Sequence, residues 1–228
     1  MSVEFLQNKS ILVTGGTGSF GQFFVRTMLQ KSLARRIIIF SRDELKQSQM
    51  ATTLPDPAER LRFFIGDIRD LSRLERAFHG VDYVVHAAAL KQVPALEYNP
   101  FEAVQTNIIG TQNVISAAID QQVKKVLFVS TDKAANPANL YGATKLCAER
   151  LMIAGNAYAG GTGASLSVVR YGNVFGSRGS IVKVIADQRA SGEVTLTHED
   201  MTRFWITLDQ GTALVLSALE RMHGGEIF

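Results

Sequence analysis

Tyr141 and Lys145 stand four residues apart in Tyr141-Gly142-Ala143-Thr144-Lys145, and Ser130-Thr131-Asp132-Lys133 precedes them in the chain. On a helix, positions i and i+4 share a face one turn apart, so this spacing sets an ammonium beneath a phenol. A free phenol has a pKa of about 10, and a cation ~4 Å away at an effective dielectric of ~20 is worth up to ~4 kcal/mol, enough to draw it down by as much as ~3 units. The pair is therefore expected to make Tyr141 a base that takes an alcohol proton while the hydride leaves for a nicotinamide. Asp132-Lys133 adds a second acid and a second base, which simple alcohol oxidation does not use. A loop Asp-Lys is most often solvent-facing charge. Here it follows an apolar strand and precedes the Tyr-Lys helix, which puts it at the carboxyl edge of a sheet, where ligands bind in open α/β folds.

The elements that must hold these residues are legible as alternation. Ile11-Leu12-Val13, Ile37 to Phe40, Phe63-Phe64-Ile65, Val81 to Val85, Val126 to Val129 and Leu166 to Val169 are short continuous apolar runs, as expected of parallel strands buried on both faces. Between them lie expected helices over roughly Phe20 to Lys31, Asp43 to Thr53, Leu71 to Phe78, Phe101 to Gln121 and Tyr141 to Tyr158. Strand and helix in such repetition predict an α/β fold with a doubly wound parallel sheet. After Tyr171 the pattern loosens, with glycines at 172, 176 and 179, a helix from about Ser180 to Ala190, a short strand near Val194 and a helix from about Leu208 to Met222. The expected division is a dinucleotide-binding domain over 1–170 and the start of a substrate lobe over 171–228, interleaved with it.

Strand one runs into Thr14-Gly15-Gly16-Thr17-Gly18-Ser19-Phe20-Gly21, which opens directly into a helix. Glycines there permit the tight turn and let backbone N–H groups and a positive helix end approach a pyrophosphate. At the end of strand two an NAD site usually carries an acid for the ribose 2′-hydroxyl; this chain has Ser41-Arg42-Asp43 with Lys46 one turn on. Ser41, Arg42 and Lys46 could hold a 2′-phosphate, with Asp43 as helix N-cap, so NADP is favoured over NAD. Asp67-Ile68 suits the adenine edge and Ala87-Ala88-Ala89 close passage beside the cofactor, while His86 reads as a buried structural histidine.

Composition narrows the classes. The 228 residues are 46% hydrophobic and 20% charged, enough for one large domain with a full core, and 24 basic against 21 acidic residues leave a net charge of +3 without a long basic run. Nucleic acid is not an expected partner. Cys147, the single cysteine, reads as a packing residue, and His79, His86, His198 and His223 have no metal-ligand spacing. No signal-like segment or membrane-length apolar run is evident, so a soluble cytoplasmic protein is expected.

The glycine turn, Tyr-x-x-x-Lys and Ser130-Thr131 together resemble the extended short-chain dehydrogenase/reductase superfamily. Within it, Ser41-Arg42-Asp43-Glu44-Leu45-Lys46, Ala88-Ala89-Leu90-Lys91, Ser130 to Pro137, Val169-Arg170-Tyr171-Gly172-Asn173-Val174 and Met201 to Thr207 are similar to the inverting UDP-N-acetylglucosamine 4,6-dehydratases that begin pseudaminic acid synthesis. Relatives of the membrane-anchored and capsule type tend to carry methionine where this chain has Tyr141. The resemblance implies a Rossmann domain, bound NADP, a hexose nucleotide substrate and association into homo-oligomers. It adds Ser130 and Val174 to the cofactor-binding residues and makes Lys91, Thr131 and Asn173 substrate contacts, with Arg203 near a diphosphate. It implies that Tyr141, with Lys145 and Thr131, takes the C4 hydroxyl proton, Lys133 the C5 proton, and that Asp132 assists loss of the C6 hydroxyl. Gln92 departs from a histidine common in the family. Relatives also continue beyond Phe228 through the sugar-nucleotide lobe, so the expectation is firm NADP(H) binding with weak binding and slow turnover of UDP-N-acetylglucosamine.

Overall fold

The six apolar runs form strands whose faces helices cover, fully at the centre of the sheet and only in part at the edge run Phe63-Phe64-Ile65, where Ile65 is exposed. In the computed structural model, which describes residues 3–56, 58–160, 163–177, 181–189, 192–195 and 198–228, they are β1 (Ser10–Thr14), β2 (Arg36–Ser41), β3 (Leu61–Ile65), β4 (Tyr83–His86), β5 (Lys125–Thr131) and β6 (Ser165–Tyr171). They pair in parallel in the order β3-β2-β1-β4-β5-β6. The order reverses between β1 and β4, and the crevice of a doubly wound sheet opens there, at the carboxyl ends. Alternate residues of each strand feed two cores. Leu12, Phe40, Val126 and Phe128 pack with Leu74 and Phe78 of α3 (Leu71–Phe78), Val114 and Ile115 of α6 (Gly110–Asp120) and Met152 of α7 (Leu140–Ala159). Ile11, Val13, Ile39 and Leu127 pack on the other face with Phe24 and Met28 of α1 (Ser19–Lys31), Met50 of α2 (Glu44–Thr53), and Val215 and Leu219 of α9 (Leu208–Arg221).

Local chemistry fixes where the helices begin. The Asp43, Asp70 and Asn139 side chains accept the N–H of Lys46, Arg73 and Gly142, capping α2, α3 and α7, and Thr207 with Gln210 forms a capping box on α9. The expected long helix over Phe101 to Gln121 is composite: α5 (Pro100–Ala103) passes through a π turn at Val104–Ile109 into α6. A short α4 (Val93–Tyr98), opened by Pro94 in its first turn, precedes it and was not evident in the sequence.

Residues 171–228 divide between two places. β7 (Asn173–Val174) pairs in parallel with β8 (Trp205–Ile206) outside the main sheet, and α9 returns to the core. The strand expected near Val194 is not found among the described residues 192–195. Val194 is 52% exposed and in no strand, and Asn173-Val174 pair instead with Trp205-Ile206. The helix expected at about Ser180 to Ala190 is described as α8 (Ile181–Arg189), its outer ends lying outside the described residues. Cys147 is exposed on α7 and not the packing residue expected. Among the described residues no helix is long and apolar enough to cross a membrane.

Candidate active site

A cleft of about 770 Å³ runs along the carboxyl edge of the sheet. It starts at the β1–α1 turn. Gly15 has φ 67°, the left-handed region that favours glycine, and a Cβ there would lie 2.9 Å from the Ala88 Cα. The turn is thus pressed against Ala87, Ala88 and Ala89, which Thr14 tethers by accepting the Ala88 N–H at 3.2 Å. Unlike α2, α3, α7 and α9, α1 begins with no side-chain cap at its Gly18 N-cap. Its first turn therefore offers backbone N–H groups to an anion. Thr17, Gly18, Ser19, Phe20 and Gly21 line the cleft at this point.

At the end of β2, Ser41 and Thr17 share a hydrogen bond of 2.9 Å. Arg42 reaches Asp67 at 3.5 Å, and Lys46 pairs with Asp43, so both expected phosphate-binding cations already face an acid. Burial tends to raise the Asp67 carboxyl, but hydrogen bonds from Arg69 and the charge of Arg42 outweigh it and hold the group below the ordinary carboxylate range. Ile68 is buried beside it. Thr106 of the π turn also lines the cleft, and its buried hydroxyl has no hydrogen-bond partner among the described residues. An extended groove with an uncapped helix at one end and an orphaned hydroxyl in its wall fits a dinucleotide.

The other end of the cleft gathers the residues of reactive type. Ser130, Thr131, Lys133, Tyr141, Lys145, Asn173 and Val174 line it, with Lys91 across from them. Gly142 makes this convergence possible. A Cβ there would come within 2.4 Å of the Lys133 carbonyl oxygen, so α7 starts in direct contact with the turn after β5. The Lys133 amine donates to Asp132 Oδ1 at 3.1 Å and to Asn173 Oδ1 at 2.8 Å. Thr131 donates to Asp132 Oδ1 at 2.9 Å and its side chain hydrogen-bonds the Tyr141 phenol. Burial by the cleft walls pulls the Lys91 ammonium below its ordinary value.

The expectation that Lys145 draws Tyr141 toward working pH is not met. The Tyr141 phenol is pushed up to about 12, first by burial and further by the charge of Asp132, while the bond from Thr131 works the other way. Lys145, only 2% exposed, is itself pushed down to about 7 by burial. Its amine donates to the Val129 carbonyl at 2.7 Å and lies 3.8 Å from the Phe128 ring centre. Helical spacing set the two on one face, but the amine turned to β5.

Two expected contacts fall outside the cleft. Arg203 is exposed and donates to the Thr202 carbonyl, and Asp132 does not line the cavity, its carboxylate being turned to Thr131 and Lys133. His86 is a buried structural residue, bonded to Thr14 at 2.7 Å and Thr111 at 3.1 Å, and burial drives its pKa down to about 3. Among the described residues no group of three His, Cys, Asp or Glu side chains could hold a metal. Sequence reasoning gave no role to Glu149 or Arg170. Glu149 is wholly buried one turn beyond Lys145, with Arg170 and Ser130 on its carboxylate. The signal was present: Tyr141, Lys145 and Glu149 repeat at intervals of four on one helix face.

The reversed sheet order, the glycine turn at the first crossover and the Tyr-x-x-x-Lys helix beside β5 define a Rossmann fold of the short-chain dehydrogenase/reductase type. The chain belongs to the polysaccharide biosynthesis protein family, whose model matches residues 11–228. It is 53% identical over 96% of its length to a UDP-N-acetylglucosamine 4,6-dehydratase (inverting) of Campylobacter jejuni, and spans 66% of that protein. It is 46% identical over 97% of its length to a UDP-glucose 4-epimerase of Rickettsia conorii, spanning 65% of it. Among solved structures it matches DesIV, a dTDP-glucose 4,6-dehydratase of Streptomyces venezuelae with NAD and TYD bound, with a TM-score of 0.82 at 27% identity, covering 96% of this chain and 74% of that one.

Proposed function

We propose that this chain carries out the 4,6-dehydration of UDP-N-acetylglucosamine with inversion at C5, as the cytoplasmic first step of a polysaccharide-type pathway. The observation that carries the reading is the convergence of Tyr141, Thr131 and Lys133 at one end of a dinucleotide-shaped cleft, with the Asp132 carboxylate bonded to Thr131 and Lys133 from behind. NADP⁺, when bound, would supply reversible hydride chemistry at the sugar. The glycine turn and the start of α1 hold its pyrophosphate, Asp67 and Ile68 border its adenine, and Ser41, Arg42 and Lys46 select the 2′-phosphate once the two cations leave their present acids.

Tyr141, once ionised, takes the C4 hydroxyl proton on Oη and becomes the phenol, Thr131 steadying the phenolate beforehand by turning its hydroxyl from Asp132 to the phenolate oxygen. The 4-ketone then acidifies the C5 hydrogen, which Lys133 Nζ removes as the free amine. Asp132, in its protonated form, gives its proton to the C6 hydroxyl, which departs as water, and C5 is reprotonated on the opposite face. The sum is the loss of one water from the sugar and is redox-neutral. Asn173 and Lys91 border the sugar. The sequence likeness to a 4-epimerase favours a second reading, in which Tyr141 acts alone and Lys133 and Asp132 have no task.

The test is mass spectrometry of UDP-N-acetylglucosamine incubated with the protein in D₂O. A product that has lost one water and gained deuterium at C5 supports the proposal, and Lys133→Ala should abolish that deuterium uptake while keeping NADP binding. An isomer of unchanged mass would overturn it in favour of epimerisation.

A further inference from the structure

Glu149 has no place in the steps above, yet it is 0% exposed beside the residues that do. Arg170 grips its carboxylate with Nε to Oε1 at 2.9 Å and Nη2 to Oε2 at 2.5 Å, and Ser130 donates to Oε1 at 2.5 Å. A buried ion pair is weak evidence of a stabilising role, since apolar residues of similar size often do as well or better. Its position suggests another use. Glu149 lies one helical turn beyond Lys145, and Ser130, which it holds, adjoins Val129, whose carbonyl receives the Lys145 amine.

Charged and titratable groups approach this face from every element packed on it. Tyr141 and Glu149 share α7 with Lys145, His86 comes from β4, Arg170 and Tyr171 from β6, and Asp132 and Lys133 from the turn after β5. His86 is uncharged at neutral pH, and Asp132 and Lys133 face each other. Glu149 is thus the acid left to oppose the burial of the Lys145 ammonium.

We propose that the Glu149–Arg170 pair is a charge regulator of Lys145: the carboxylate offsets part of the burial that drives the amine to its neutral form, the guanidinium limits how strongly, and Ser130 ties both to the end of β5. Both are positioning residues that act through Lys145. The consequence for rate rests on the function proposed above, whereas the charge state of Lys145 does not.

The experiment is an NMR titration of the protein labelled with ¹³C at lysine Cε, with the Lys145 signal assigned by its loss in Lys145→Met. Glu149→Gln removes the acid and leaves Arg170 unopposed, so the Lys145 midpoint should fall by about 1–2 pH units. Arg170→Gln frees the carboxylate and should move the midpoint the other way. Arg170→Lys, which restores charge without the fork, should return it most of the way. Shifts of opposite sign support the proposal; no shift, or two shifts of one sign, would mean that the pair only packs and would overturn it. Should a single variant fail to fold, the double variant Glu149→Gln/Arg170→Gln removes both members of the pair together and decides the matter. A midpoint below the parent's supports the regulator, and an unchanged one refutes it. Opposed shifts without sugar turnover would sink the proposed function and leave this inference standing.

Discussion

Lys145→Met isolates the energetic consequence of burying an amine under the cleft. Lys145 titrates near 7 in the folded protein against 10.5 as an ordinary lysine. Between those values the unfolded chain holds a proton that the folded chain has shed, so the unfolded state binds more protons and stability rises with pH across the window. The cost of the buried charge is fully present below pH 7. From the two values it is about 4 kcal/mol at pH 7 and about 2 kcal/mol at pH 9. Methionine has a similar shape and no charge to bury. Losing the bond to the Val129 carbonyl and the contact with Phe128 also changes stability, but by an amount that does not vary with pH. Urea unfolding of parent and variant at pH 7 and pH 9 therefore cancels everything except the ionisation. The stability of the variant relative to the parent should decrease by about 2 kcal/mol between the two pH values. A constant difference, or one that grows in favour of the variant at pH 9, would refute the claim that Lys145 is held against its charge.

Three further outcomes follow from other parts of the cleft. NADP⁺ should bind more tightly than NAD⁺ by about 1–3 kcal/mol in calorimetry, and Arg42→Ala should narrow that gap; equal weakening toward both cofactors would remove Arg42 from 2′-phosphate selection. Gly142→Ala puts a Cβ 2.4 Å from the Lys133 carbonyl oxygen, so it should lower stability by about 1–3 kcal/mol and reduce turnover more than NADP affinity. An unchanged urea midpoint would show that the start of α7 has room. His86 is near 3 folded and 6.5 as an ordinary histidine, so stability should fall as pH drops through 6.5, by about 2–3 kcal/mol at pH 4.5. His86→Gln should flatten that slope, and an unaltered acid limb would point to other groups.

Much of this was readable in the residues because it depends on local rules. Apolar runs such as Ile37 to Phe40 became strands since only a doubly covered sheet accommodates them, and Asp43 capped α2 as its type suggests. Gly15 was legible too, because a turn pressed on Ala88 has no space for a side chain. What escaped the sequence was decided by three-dimensional competition. Lys145 could reach either Tyr141 along the helix or Val129 across it, and spacing alone does not choose. Arg42 and Lys46 read as free cations because Asp67 is distant in sequence and Asp43 was already assigned to a cap. Val194 had strand character but is paired with no strand among the described residues, and pairing is a property of two segments.

The π turn at Val104–Ile109 has a consequence for phase. It winds one residue more than an α-helix into its length, which rotates everything downstream by about 100° relative to everything upstream. Before the offset takes effect, Asn107 brackets the backbone of Leu90, next to Lys91, and touches Thr144 at the base of the Tyr-Lys helix. After it, Thr111 meets His86, and Val114 and Ile115 enter the core. Asn107 and Thr111 stand four residues apart, and the Thr111 hydroxyl donates to the Asn107 carbonyl at 2.7 Å, so the turn joins the two sets along one stripe. That stripe ties the Leu90 loop beside the cleft to the core beneath the sheet through a single rod, so a shift of either is felt by the other.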